Sequence, residues 1–313
     1  MFLLVLLAVA VGVVLNRQWL YDFYRVQTYQ PSSEMSQIRE SLDLTERGEF
    51  LFNASQPVLN GSDEFNAHCQ SGDTEIAILG CYTGGNIYIY NITEAELDGI
   101  RELTTAHELL HVVFARMTSE EKASLKPLLE QVYQNNQEIL EEDLNTYDES
   151  ERFEELYVRA GTEVAALPEA LEKHYAEVFE DQDKVVAFYN DYNGVFRALK
   201  AELDSLAAEM EALNVEIAEK TAEYEDRFSQ LNANVVSFNS CAEVAGCFAT
   251  EAEFYARRDV LVAEQEALES LYNELNGLIN TYNAKVEVYN ADVLQSQKLN
   301  TMINSNSKPA EIR

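Results

Sequence analysis

The sequence predicts an α+β chain: a mainly helical domain with a small β-sheet, followed by a long antiparallel coiled-coil hairpin and preceded by an N-terminal transmembrane helix. Three observations predict it. Apolar residues recur every seven positions through most of the last third. Two β-rich runs flank Thr83-Gly84-Gly85. Residues 1–15 are all apolar or glycine. The expected divisions are an anchor and juxtamembrane segment at 1–28, the mixed domain at 29–195, the hairpin at 196–303 and a polar, disordered tail at 304–313.

With 313 residues, 47% of them apolar, the chain has enough hydrophobic material for a real core. Its 55 acidic and 22 basic residues give a formal charge of -33, which repels phosphate backbones and anionic headgroups and argues against nucleic acid as a partner. The four cysteines form two local pairs, Cys69 with Cys81 and Cys241 with Cys247, neither with CxxC spacing. Two local disulfides are the simplest connectivity, and they point to an oxidising, extracytoplasmic setting.

As a helix, residues 1–15 rise about 22 Å, short of a hydrocarbon core of about 30 Å unless Trp19 and Leu20 extend the span. No charged region precedes the run, and its one small-x-small triplet, Ala8-Val9-Ala10, lies inside it, so an uncleaved single-pass anchor is preferred to a signal peptide. Arg17 and Arg25 alone would put the remainder of the chain in the cytoplasm. The cysteine pairs argue for the opposite side and carry more weight.

Further along, Ser33 to Leu42 reads as a short helix and Glu49-Phe50-Leu51-Phe52-Asn53 as a strand. Glu75 to Tyr82 and Asn86 to Asn91 read as a β-hairpin, with Cys69–Cys81 tying the preceding loop to it. Thr93 and Glu96 have capping-box spacing before the next helix, and Thr118 and Glu121 before the one after, which is expected to run to about Tyr147 with a kink at Pro127.

The chemistry concentrates in His107-Glu108-Leu109-Leu110-His111, inside an apolar helical run. Residues four apart share a helix face, so two imidazoles can converge on one zinc ion, with Glu108 beside it as proton acceptor. This is the H-E-x-x-H pattern of zinc hydrolases. Two of the chain's four histidines lie here, and a glutamate on an otherwise apolar helix is costly without a partner or a role. Ile87, Tyr88, Ile89 and Tyr90, the strand before this helix, form the expected edge on which an extended substrate would pair.

A third ligand must come from elsewhere. Phe114 and Met117 occupy the places where a metzincin continuation needs Gly and His. A glutamate from a later helix is the alternative. Phe153, Leu156, Ala160, Val164 and Leu167 form the apolar stripe of the helix near 153–167; Glu163 projects from its edge and Glu155 points away. Glu163 is therefore the preferred ligand and Glu155 the alternative, particularly if Gly161 breaks the helix, with His174, Glu169 and His68 behind them. Gly161 would also allow close approach of two helices. Arg159 could pair with a ligand carboxylate, and His174 and Tyr175 could donate to an oxyanion.

In the last third, Leu203, Met210, Ile217, Tyr224, Leu231 and Phe238 repeat every seven residues, as do Phe254, Leu261, Leu268, Leu275, Tyr282 and Tyr289. Leu206, Leu213, Phe228 and Val235, with Leu271, Ile279, Val286 and Val293, complete two seams. Arms of similar length favour folding back over intermolecular pairing, with Cys241–Cys247 closing the tip.

Ile78-Leu79-Gly80-Cys81-Tyr82, Ile87 to Tyr90, Ala106 to His111 and Gly161-Thr162-Glu163 resemble segments of a group of membrane-anchored bacterial proteins with a zincin-like domain, over roughly Tyr21 to Tyr192. That resemblance implies the zincin-like fold and no particular activity. More broadly, the site is similar to that of gluzincin peptidases such as thermolysin, which implies His107 and His111 as metal ligands and Glu108 as catalytic base. The chain has no Asn-Glu-x-x-x-Asp sequence to supply the third ligand in the thermolysin manner.

The resulting expectation is a zinc-dependent endopeptidase in the cell membrane, its catalytic domain extracytoplasmic, acting on protein or peptide substrates such as cell-surface proteins. The alternatives are an interaction protein whose hairpin binds a protein partner while the zincin domain is inactive, and hydrolysis of a non-peptide amide, for example in the cell wall.

Overall fold

The computed structural model describes residues 16–69 and 78–306. The expected transmembrane helix at 1–15 and the start of the hairpin at Glu75 to Ala77 lie outside them. Among the described residues no helix is long and apolar enough to cross a membrane. The described residues form two compact units, one made of those up to Arg197 together with Lys298 onwards, the other of Ala198–Gln297.

The first unit is mainly helical. It begins with α1 (Arg17–Thr28), α2 (Ser33–Ser41) and α3 (Glu46–Ser55), the last two capped by the hydroxyls of Ser32 and Thr45. The expected strand at Glu49 to Asn53 is instead part of α3. Gly48, Leu51, Phe52 and Ser55, four of its five buried residues, are spaced at helical intervals, and Thr45 with two first-turn glutamates provides a helix start. A three-residue apolar run is too short to separate a period of 2 from one of 3.6.

After β1 (Val58–Asn60) and α4 (Ser62–His68) come β2 (Gly80–Thr83) and β3 (Asn86–Tyr90), an antiparallel hairpin as expected. β1 pairs parallel with the other side of β3, so the sheet order is β1-β3-β2. The expected substrate edge at Ile87, Tyr88, Ile89 and Tyr90 is therefore the central strand, paired on both sides. Ile87 and Ile89 are buried in the core, and the outer strands are β1 and β2. The Cys69–Cys81 disulfide joins the end of α4 to β2.

Thr93 and Glu96 do not cap the long helix. Thr93 precedes a single 3-10 turn at Ala95–Leu97 and Glu96 lies within it, while α5 (Ile100–Arg116) is capped by Gly99, whose left-handed backbone favours glycine. Thr118 and Glu121 do form a capping box, at the start of α6 (Ser119–Asn135). That helix passes through Pro127 and ends at Asn135; α7 (Gln137–Leu144) follows. Next come α8 (Arg152–Glu163) and α9 (Glu169–Tyr175).

α5 and α8 pack face to face through the middle of the core. Gly161 makes this possible: a Cβ there would sit 2.6 Å from both Leu110 and the Tyr175 ring. Two helices thus approach at Gly161 as expected, and the helix does not break there.

α1 is fastened to this unit by its polar face. Asp22, almost fully buried, takes two hydrogen bonds from Arg116 at 2.8 and 2.9 Å, while Arg25 donates to the carbonyls of Ala54 and Gly85. Residues 304–306, expected in a disordered tail, are tied down as well. Ser305 exchanges two hydrogen bonds with Asn66 of α4, and Leu299 is fully buried.

The second unit consists of the paired lengths of α10 (Gln182–Ala242) and α11 (Glu251–Ile303). Cross-helix ion pairs Lys285–Glu209, Lys220–Glu274 and Arg227–Glu264 run in antiparallel order. Leu231, Leu268, Leu271 and Leu275 are buried at the seam, whereas Phe228 and Ile279, both expected there, are exposed. Cys241–Cys247 closes the turn beside a cluster of Phe238, Phe248 and Phe254.

Gly161→Ala should lower the unfolding free energy by about 1–3 kcal/mol through overpacking, read as a lower urea midpoint with an unchanged slope.

Candidate metal centre

His107, Glu108 and His111 lie on α5, whose residues from Leu103 to Phe114 are nearly all buried. Opposite them, α8 presents Glu154 and Glu155. The His107 and His111 Nε2 atoms converge on one carboxylate, lying 3.7 Å from Glu155 Oε2 and 3.2 Å from Glu155 Oε1. Donor atoms of these three residues all lie within 4.8 Å of one another. Ligand atoms at zinc-type bond lengths in a tetrahedron stand about 3.3 Å apart, so this spacing fits a single metal ion. Both imidazoles remain partly open to solvent, at 20% and 16% of side-chain exposure, while Glu155 is buried.

The preferred third ligand, Glu163, is not at this centre; the alternative, Glu155, is. Glu163 lies two turns further along α8 and takes a hydrogen bond from Arg159 at 2.9 Å. Judging the interior face from one apolar stripe fails because α8 is covered on almost all sides: Glu155 to Val158 and Ala160 to Glu163 are all buried. Val164 and Leu167, two members of that stripe, lie beyond the helix end. Of the remaining candidates, His68 stacks on Tyr88 and Glu169 pairs with Lys173 at the surface.

His174 and Tyr175 are not placed as oxyanion donors either. Tyr175 is fully buried and gives its hydroxyl to the Tyr157 carbonyl at 2.6 Å. His174 lies against Tyr157 and Tyr175, 3.1 Å from the Tyr157 hydroxyl. Arg159 is at the centre as expected, 3.7 Å from Glu155 and paired with Glu163.

Residues that the sequence reading did not single out complete the surroundings. His111 Nδ1 lies 2.8 Å from Glu154 Oε1, an arrangement that leaves Nε2 for a metal. The Tyr147 hydroxyl hydrogen-bonds Arg159, and burial raises its pKa to about 12, with Glu155 adding to the rise. From β2, the Tyr82 backbone N–H donates to Glu108. Gly80 on the same strand brings β2 against α5: a Cβ there would lie 2.8 Å from the Glu108 carboxylate and 2.7 Å from Thr104. The outer strand beside Glu108 is thus β2.

The charges are tuned by this enclosure. Burial raises the Glu108 carboxyl to about 7; His111 and the Tyr82 N–H oppose the rise and Glu155 adds to it. Burial, with help from His111 and Arg159, holds His107 well below its ordinary value and so neutral. Burial works against protonation of His111 as well, but Glu154 and Glu155 outweigh it and raise its pKa to about 10. The pocket between His107, His111 and Glu155 therefore draws positive charge, and a bound cation would replace the His111 proton.

Comparison with known proteins finds no similar family model, curated protein or solved structure.

Glu154→Ala should weaken metal affinity by about 10- to 100-fold, measured by chelator competition, because it removes the group that orients His111.

Proposed function

We propose that this protein is a membrane-tethered, extracytoplasmic zinc metallopeptidase whose metal is held by His107, His111 and Glu155. The observation that carries the reading is Glu108: a buried carboxylate next to the converging imidazole nitrogens, held by a backbone N–H and poised to titrate near neutrality. A purely structural site would be closed by four ligands and would have no use for a base.

Two nitrogen donors and one carboxylate suit zinc, which when bound supplies Lewis acidity and lowers the pKa of a water at the open position. Glu108 would accept a proton from the attacking water and deliver it to the departing amine nitrogen. Burial raises the Glu108 carboxyl and a cation at His107, His111 and Glu155 would lower it, so the carboxylate form that accepts a proton is favoured once the site is filled. Glu154 holds the His111 ring, and Arg159 balances the carboxylates of Glu155 and Glu163. An extended substrate would lie along β2, the strand that Glu108 already contacts. The two disulfides fit an oxidising compartment and the apolar run at 1–15 fits a membrane anchor.

Glu108→Gln should keep bound zinc and lose about 100- to 10,000-fold in hydrolysis of an unfolded protein substrate, the span expected for a general base. Undiminished turnover by the variant would exclude this mechanism.

A further inference from the structure

The helix α1 is built the wrong way round for water. Two of its three charged residues point inward, and only Arg17 at its first turn is exposed: Asp22 is bound to Arg116 and Arg25 to the backbone of α3 and of the β2–β3 turn. Its large apolar residues point outward. Trp19, Leu20, Phe23 and Tyr24, spaced i, i+1, i+4 and i+5, share one face and are 55, 40, 46 and 66% exposed. Trp19 and Phe23 stack on each other at 5.4 Å, and the inner edge of Trp19 borders a cavity lined by Phe50 and Leu51 of α3. With Tyr21 at the edge of this face, 49% exposed, five exposed large aromatic or apolar residues in a twelve-residue helix, set against an inward ion pair, mark an interaction surface rather than scattered surface hydrophobics.

Continuity and composition identify the occupant. The fifteen residues immediately before Asn16 are all apolar or glycine, so the aromatic face begins where a lipid-soluble stretch of sequence stops. Tryptophan and tyrosine with apolar neighbours are the residues that settle at the boundary between headgroups and acyl chains, where one end of the ring stays wet. A chain of net charge -33 gains nothing from anionic headgroups, so the contact must be apolar and aromatic.

We propose that α1 is a membrane-interface helix: Trp19, Leu20, Phe23 and Tyr24 lie in the headgroup–acyl boundary of a lipid bilayer, while Asp22 and Arg25 on the opposite face fasten the metal-binding unit to it. This rests on the membrane-tether reading and adds a defined orientation. Arg116, the partner of Asp22, ends the helix that carries His107, Glu108 and His111, and it also donates to the Tyr82 hydroxyl on β2. The bilayer-bound helix thus holds both elements that flank Glu108.

Trp19 is the only tryptophan, so its fluorescence reports on this face alone. The test uses the full chain in phosphatidylcholine vesicles, with bromines placed either shallow or deep along the acyl chains. The expected result is a blue-shifted emission, shielded from aqueous acrylamide, quenched more by shallow than by deep bromines and insensitive to salt. Phe23→Ser/Tyr24→Ser, which alters only exposed side chains, should move Trp19 towards water with no change in zinc content. If the chain floats with the vesicles while Trp19 stays open to acrylamide, the helix proposal fails and the tether stands. If the chain does not float, both fail. Shielding of Trp19 in a lipid-free dimer would name a second copy as the occupant and overturn the lipid assignment.

Discussion

Burial of like charge between α5 and α8 is the constraint on which the rest of the structure depends. Glu108, Glu155 and Glu163 are all less than a tenth exposed. A carboxylate taken out of water is tolerated only with a cation, with hydrogen-bond donors or as the neutral acid. The chain uses all three: Arg159 spans Glu155 and Glu163, His111 stands between Glu154 and Glu155, and Glu108 shifts towards neutrality under the Tyr82 N–H. One more positive charge between the imidazoles would offset the remaining acid.

In so acidic a chain the placement of basic residues is informative. Most surface lysines make exposed pairs worth little. Arg25, Arg116 and Arg159 are instead drawn inward, where each holds together elements distant in sequence or groups within the centre. Arg116 has a central place, because Asp22 of α1 and Tyr82 of β2 both meet it at the end of the helix that carries His107 and His111. Gly80 and Gly161 act in the same region by omission, each admitting a neighbour that a side chain would displace.

The parts legible in the sequence are those with long or local signals. Seven-residue periodicity over many turns identifies α10 and α11, and short separations identify both disulfides. A turn of two glycines marks the β2–β3 hairpin, and four-residue spacing sets His107 and His111 on one face. The features that run against the local pattern depend on long-range packing. β3 lost its edge role because β1, distant in sequence, adds in parallel to its free side. Glu155 looked solvent-facing because an apolar stripe marks one buried face, while α8 is enclosed on nearly all sides. His174 and Tyr175 are engaged by Tyr157, 17 and 18 residues earlier in the chain, a contact that no local pattern marks.

The identity of the third carboxylate is the point at which packing overrules pattern, and it tests the whole account. The decisive measurement is the zinc content of the purified protein as wild type, Glu155→Gln and Glu163→Gln, each checked for folding by circular dichroism. One zinc per chain in the wild type and in Glu163→Gln, lost from a folded Glu155→Gln, is the predicted result. Zinc retained by Glu155→Gln, or no zinc in a folded wild type after zinc is supplied, would contradict the assignment of the centre.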